Sequence, residues 1–145
     1  MKYMKTAFLF LLIMLASASL FFIGCEPVDD NTTSGDPRDS FVGDWMFLES
    51  FKSTESQSYM VTISKDPNNS SQVILENFAN AGAGISVTGI ATSTQIVVSS
   101  QKMSNGWTVE GAGISDKQDK SIMTWTLSVT AGGSKDDYTA TATRQ

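Results

Sequence analysis

The chain has no histidine at all, which removes the Ser-His-Asp and Cys-His nucleophile arrangements and the commonest zinc ligand. A single cysteine, Cys25, leaves no partner for an intramolecular disulfide. Positive charge is also scarce. Ten Lys and Arg stand against fifteen Asp and Glu, and no basic cluster forms, so nucleic acid, whose binding needs cations that displace counterions, is not an expected partner. No Gly-rich phosphate loop is present, because the glycines at 82, 84, 111 and 113 lack both a following Lys-Ser/Thr and a strand-to-helix setting. Long runs of Ala, Leu, Glu and Lys, the usual material of helices, are few. Neither a catalytic centre nor a cofactor nor a metal site is legible. Asp29-Asp30 and Asp136-Asp137 read as solvated pairs in a tether and a turn, and Asp66, Asn68 and Asn69 as turn residues.

What the chain does have begins at its amino terminus. Met1 to Lys5 is short and positive, and Ala7 to Ile23 is apolar, broken only by small Ala and Ser. Positive flank, apolar core and a small residue at the exit are the parts of a secretory signal. Phe22-Ile23-Gly24-Cys25 resembles the lipobox of bacterial lipoproteins, with Phe22 where Leu is usual. That resemblance implies cleavage after residue 24 and acylation of Cys25, which would hold the protein to a membrane of the bacterial cell envelope. An outer-membrane location is expected, on either face. Each buried methylene contributes about 0.8 kcal/mol, so the two or three acyl chains of such proteins anchor stably.

Residues 25–39 carry two prolines, five acidic side chains and one apolar residue, Val28, and are expected to be a disordered tether. The acidic run after Cys25 also resembles the surface-export signal of Bacteroidetes lipoproteins, though it reads equally as a solvated linker. Removing Lys2 and Lys5 with the signal leaves eight cations against fifteen acids, a mature side-chain charge of −7.

From residue 40 to 145 the chain reads as one all-β domain. Eight short runs, several of them alternating apolar and polar residues, are separated by turn chemistry: 45–51, 59–64, 72–78, 85–90, 94–100, 107–114, 122–129 and 138–143. Asn105-Gly106 is the strongest local hairpin signal. Short connections imply antiparallel neighbours. Eight such strands close into an up-and-down barrel, although a two-sheet sandwich would use the same pattern.

Phe41-Val42-Gly43-Asp44-Trp45 places a Gly-x-Trp at the start of the first strand, and Arg144 stands just after the eighth run. This pairing resembles that of lipocalins and their calycin relatives, and the whole domain is similar to small lipocalin-like lipoproteins of Bacteroidetes. The resemblance implies that Gly43 opens the barrel, Trp45 plugs one end, and Arg144 packs over the indole. This chain is shorter than full-length lipocalins and lacks their long first loop and late helix.

Two functions follow as expectations. In the first, the barrel binds a small apolar ligand in a pocket lined by Tyr59, Val61, Ile63, Trp107, Val109, Trp125 and Leu127. In the second, the barrel is filled, and the protein acts through its rim on a protein partner, an inhibitor role being one variant. Large inward aromatics favour filling, whereas Gly111, Gly113, Ala140 and Ala142 favour space.

Overall fold

The computed structural model describes residues 35–51 and 55–145, without the side chains of Phe51 and Glu55. The expected signal segment, Cys25 and most of the expected tether lie outside the described residues. Eight strands follow in order: β1 (Gly43–Phe51), β2 (Glu55–Lys65), β3 (Gln72–Glu76), β4 (Ser86–Ala91), β5 (Gln95–Lys102), β6 (Thr108–Ser115), β7 (Ile122–Ala131) and β8 (Ser134–Arg144). Each pairs antiparallel with the next, and β8 returns to β1 to close the barrel. The closing register sets Trp45 opposite Arg144, Phe47 opposite Ala142 and Glu49 opposite Ala140. With that seam formed no sheet edge remains, which decides for the barrel over the sandwich.

Alternation along the strands sends one set of side chains inward. On β7 these are Met123, Trp125, Leu127 and Val129, all buried, while Thr124 and Thr126 face solvent. The neighbouring strands make room for them. Trp125 is flanked across the sheet by Gly113 on β6 and Ala140 on β8. A Cβ on Gly113 would lie only 2.2 Å from Trp125 Cε2, so the indole occupies the space a side chain there would take. Large beside small is how a narrow barrel reaches interior packing density.

Three differences from the sequence expectation bear on the core and the two ends of the barrel. β3 ends at Glu76, and Phe78 belongs to a 3-10 turn (Phe78–Asn80) instead of a strand. That turn drives Phe78 into the core, where its ring lies 5.3 Å from Trp125 and 6.4 Å from Phe47. Second, Asp136 and Asp137 are strand residues, because the β7–β8 hairpin turns on Gly132 and Gly133 alone, at φ 59° and 85°. Third, the last tether residues are packed, not disordered. Pro37–Ser40 forms a 3-10 turn capped by the Asp36 side chain. Arg38 within it is buried and donates to the carbonyls of Asp66 and Asn69, at 3.1 and 2.8 Å. Carbonyls of the β2–β3 turn are thus held by a cation from the segment before β1.

Asp carboxylates stitch the loops at this end of the barrel. Asp36 is held well below the usual carboxylate range by its hydrogen bonds from the Arg38 side chain and backbone. Asp116 is lowered by the backbone amides of Asp119 and Gln118, and Asp119 by the Ser121 hydroxyl and amide. A carboxyl depressed in the folded state contributes stability that is present above its unfolded pKa, near 4, and is lost as pH falls through the native value. Melting temperature is therefore expected to be flat from neutral pH to about 5 and to fall progressively below about 4. Asp36→Asn together with Asp119→Asn should flatten that acid limb, and an unchanged limb would assign it to other groups.

Candidate functional site

The two ends of the barrel are built differently. At one end Gly43, at φ 132°, leads the chain inward, and Trp45 is fully buried with its Nε1 donating to the Phe41 carbonyl at 2.7 Å. The Arg144 guanidinium carbon stands 4.6 Å from the Trp45 ring centroid. The same side chain donates to the Val42 carbonyl at 2.8 Å and to the Ser40 carbonyl. This end is shut by side chains.

The interior is also occupied. Tyr59, Val61, Ile63, Val109, Trp125 and Leu127 all point inward and come together, but as close-packed core. Phe47 bridges them, with its ring 5.6 Å from Tyr59 and 5.5 Å from Trp125. The pocket expected from those residues is not an open one. The space foreseen at Gly113 is taken by Trp125, and Phe78 arrives from a loop. Trp107 is the exception, half-buried just before β6 at the other end, which is the barrel's open mouth.

That mouth holds a recess of about 270 Å³ lined by Glu49, Gln57, Ala79, Asn80, Trp107, Val129, Ala131, Asp136 and Tyr138. Glu49 occupies the fourth inward position of a strand register that carries Trp45 and Phe47, so alternation forces it inside, where it is 3% exposed. Its carboxylate accepts from the Tyr59 hydroxyl at 2.6 Å and from Gln57 Nε2 at 3.1 Å. Gln57 in turn accepts from Asn80 Nδ2 at 3.3 Å, so a chain of amides orients the acid. Burial, then the hydrogen bond to Glu49 and its charge, pushes the Tyr59 phenol far above its ordinary value. Tyr138 is also raised, by burial first and then by the charges of Asp136 and Glu49.

Local chemistry places the rest. The Asn105-Gly106 turn sets Trp107 at the rim, with its amide donating to Asn105 Oδ1 at 3.0 Å. Asn77, at φ 60°, holds the β3–β4 loop over the mouth by donating to the Met60 carbonyl and accepting from the Gly82 amide, both at 2.8 Å. Glu49 was readable as inward-facing from the sequence pattern but carries no motif. Asp136 was missed because Gly-Gly is itself a two-residue hairpin signal, and counting a longer turn moved the acid out of β8.

A larger groove, about 740 Å³, runs across the outer wall of β1, β8, β7 and β6. Its outward side chains, Ser50, Thr139, Thr126 and Ala112, sit in one cross-strand row. They are small and mostly exposed, with no buried polar side chain among them, so the smaller mouth recess is the better-built site. No cluster of three or more potential metal ligands exists among the described residues.

The architecture defines the class: a closed, eight-stranded, up-and-down antiparallel β-barrel. A redesigned β-barrel is similar over 76% of this chain and 96% of its own, with a TM-score of 0.53 and 13% identity. The structure of EF1p2_mFAP2b bound to DFHBI is similar over 76% of this chain and 99% of its own, with a TM-score of 0.50 and 11% identity. At such identities the likeness is one of fold. No protein-family model and no curated protein matches the chain.

Proposed function

We propose that this protein is a lipid-anchored envelope protein of the lipocalin-like kind whose barrel is a small-ligand binding module, not an enzyme, working through its open mouth. The observation that carries the reading is the mouth recess itself, where a buried acid, an amide relay and two aromatic side chains converge on 270 Å³ of space. The mouth of a β-barrel is a usual place for a small-ligand site, and this one joins apolar and aromatic side chains with a few placed polar groups. The similar barrel that holds DFHBI supports the view that this fold can carry a small ligand at this size. The filled interior fits equally a barrel that grips a protein partner at its rim, in which case the recess would receive one of that partner's side chains.

Native mass spectrometry of the chain purified from a bacterial host, compared folded and denatured, tests the reading. A bound mass that leaves on denaturation supports it. A clean apo mass, with no uptake from a small-molecule mixture, turns the search to protein partners. Fragments for such work should begin before Asp36, since the Asp36–Arg38 pair is part of the folded unit.

The anchor is tested separately. Cys25→Ala is expected to abolish incorporation of radiolabelled fatty acid while leaving the barrel's thermal melt unchanged. Labelling that persists in the variant would remove the anchor from the proposal.

A further inference from the structure

We propose that the mouth recess takes an alkylammonium group, either of a small free amine or of a lysine side chain presented by a partner. The inference rests on the mouth-binding reading above and adds the chemistry of its ligand.

The charge balance of the recess points there. Glu49 is almost fully buried, yet both of its hydrogen-bond donors, Tyr59 and Gln57, are neutral. Neutral donors orient a carboxylate but leave its charge uncompensated, and an uncompensated charge away from water is unfavourable. Asp136 adds a second acid to the same wall, and among the described residues no Lys or Arg lines it. Among the described residues Glu49 has no ion-pair partner, whereas Glu110 on the outer wall pairs with Lys135 at 2.8 Å. An anion would be repelled here, and a neutral ligand would leave the acids unpaired.

The aromatic groups favour the same ligand. Trp107 lines the recess beside the acids, and the face of an aromatic ring attracts a desolvated cation. Carboxylates and ring faces together suit a cation that carries its own apolar surface. Size sets the upper bound. A volume of 270 Å³ equals roughly nine water molecules at about 30 Å³ each and falls just under the range of about 300–1,000 Å³ typical of drug-sized ligands. A head group of a few heavy atoms fits, and a fatty acid does not.

The test is isothermal titration of the full chain in detergent with four probes of matched size: butylammonium, choline, butanol and butyrate. Nα-acetyl-lysine methylamide is the fifth probe, and the Trp107 indole NMR signal reports where each one binds. Butylammonium or choline is expected to bind, shift that signal, and exceed butanol and butyrate in affinity by at least tenfold. Tighter binding of the lysine derivative than of either free amine would assign the partner side chain as the source, and the reverse order a free amine.

Glu49→Gln and Asp136→Asn should each lower ammonium affinity by about tenfold or more, and Trp107→Leu by about fivefold. Asp136→Asn and Trp107→Leu alter rim residues and keep the test open should Glu49→Gln fail to fold. Lys52, between β1 and β2 in the sequence, lies outside the described residues. Lys52→Ala is expected to leave affinity unchanged, and a tenfold gain would show the chain's own lysine to be the cation, overturning the proposal. Binding of butanol or butyrate at Trp107 without the ammonium probes would overturn the ligand class and leave the mouth-binding reading standing. No probe shifting the Trp107 signal would overturn both.

Discussion

Gly113→Ala is expected to destabilise the barrel by about 3 kcal/mol, at the upper end of ordinary overpacking, and to lower its melting temperature by roughly 15 °C for a domain of this size. The added methyl would overlap Trp125 Cε2 at 2.2 Å and Cζ2 at 2.5 Å. Trp125 has little freedom to retreat, since Phe47 and Phe78 hold its ring at 5.5 and 5.3 Å. Strain therefore passes into the strand pairing of β6 with β7, where Gly113 and Trp125 sit opposite each other. Thermal melts followed by near-ultraviolet circular dichroism check the size of the effect. The cause is checked by Trp125→Phe, which removes the second ring of the indole. The double variant should be at least 1 kcal/mol more stable than the two single losses predict when added. A Gly113→Ala protein within 0.5 kcal/mol of the parent would mean that the indole packs elsewhere.

Arg144→Ala should cost a similar amount, about 3 kcal/mol. The guanidinium holds the carbonyls of Ser40 and Val42 while lying over Trp45. Charged hydrogen bonds contribute about 1.5–3 kcal/mol and a cation over an indole about 0.5–2 kcal/mol. Truncation removes these and leaves two half-buried carbonyls to find water. The position also fastens the β1–β8 seam, where Trp45 and Arg144 are register partners. Arg144→Lys is expected to recover less than half of the loss, because an ammonium cannot stack flat and span two acceptors at once. A red-shifted tryptophan emission should accompany the Ala variant as water reaches Trp45. Full recovery by Lys would reduce the interaction to simple charge.

The two predictions draw on residues of unequal legibility. Arg144 and Trp45 stood out because a glycine, an indole and a cation lay at the two ends of a domain of eight alternating runs. Gly113 stood out for the wrong reason. A glycine on an inward face reads as empty space, and whether it is empty depends on which neighbour leans over it. The mouth recess shows the same division. Glu49 follows from strand alternation, since residue phase is local and a period of two carries it from Trp45. Its neighbours Tyr138 and Asp136 come from β8, which meets β1 only through the closing seam, and Trp107 from just before β6, and nothing in their spacing links them to β1.

The sequence by itself determined the number of strands, their order, their antiparallel pairing and the inward phase of most core residues. These depend on alternation and turn residues, which act over a few neighbours. Tertiary structure alone decided that the sheet closes, that the interior is filled, and that the acids and aromatic rings meet at the mouth. Closure depends on strand tilt and stagger summed over all eight strands. Filling depends on the total volume of side chains from every strand and from the Phe78 loop. Such sums belong to no single segment, so no local pattern can report them.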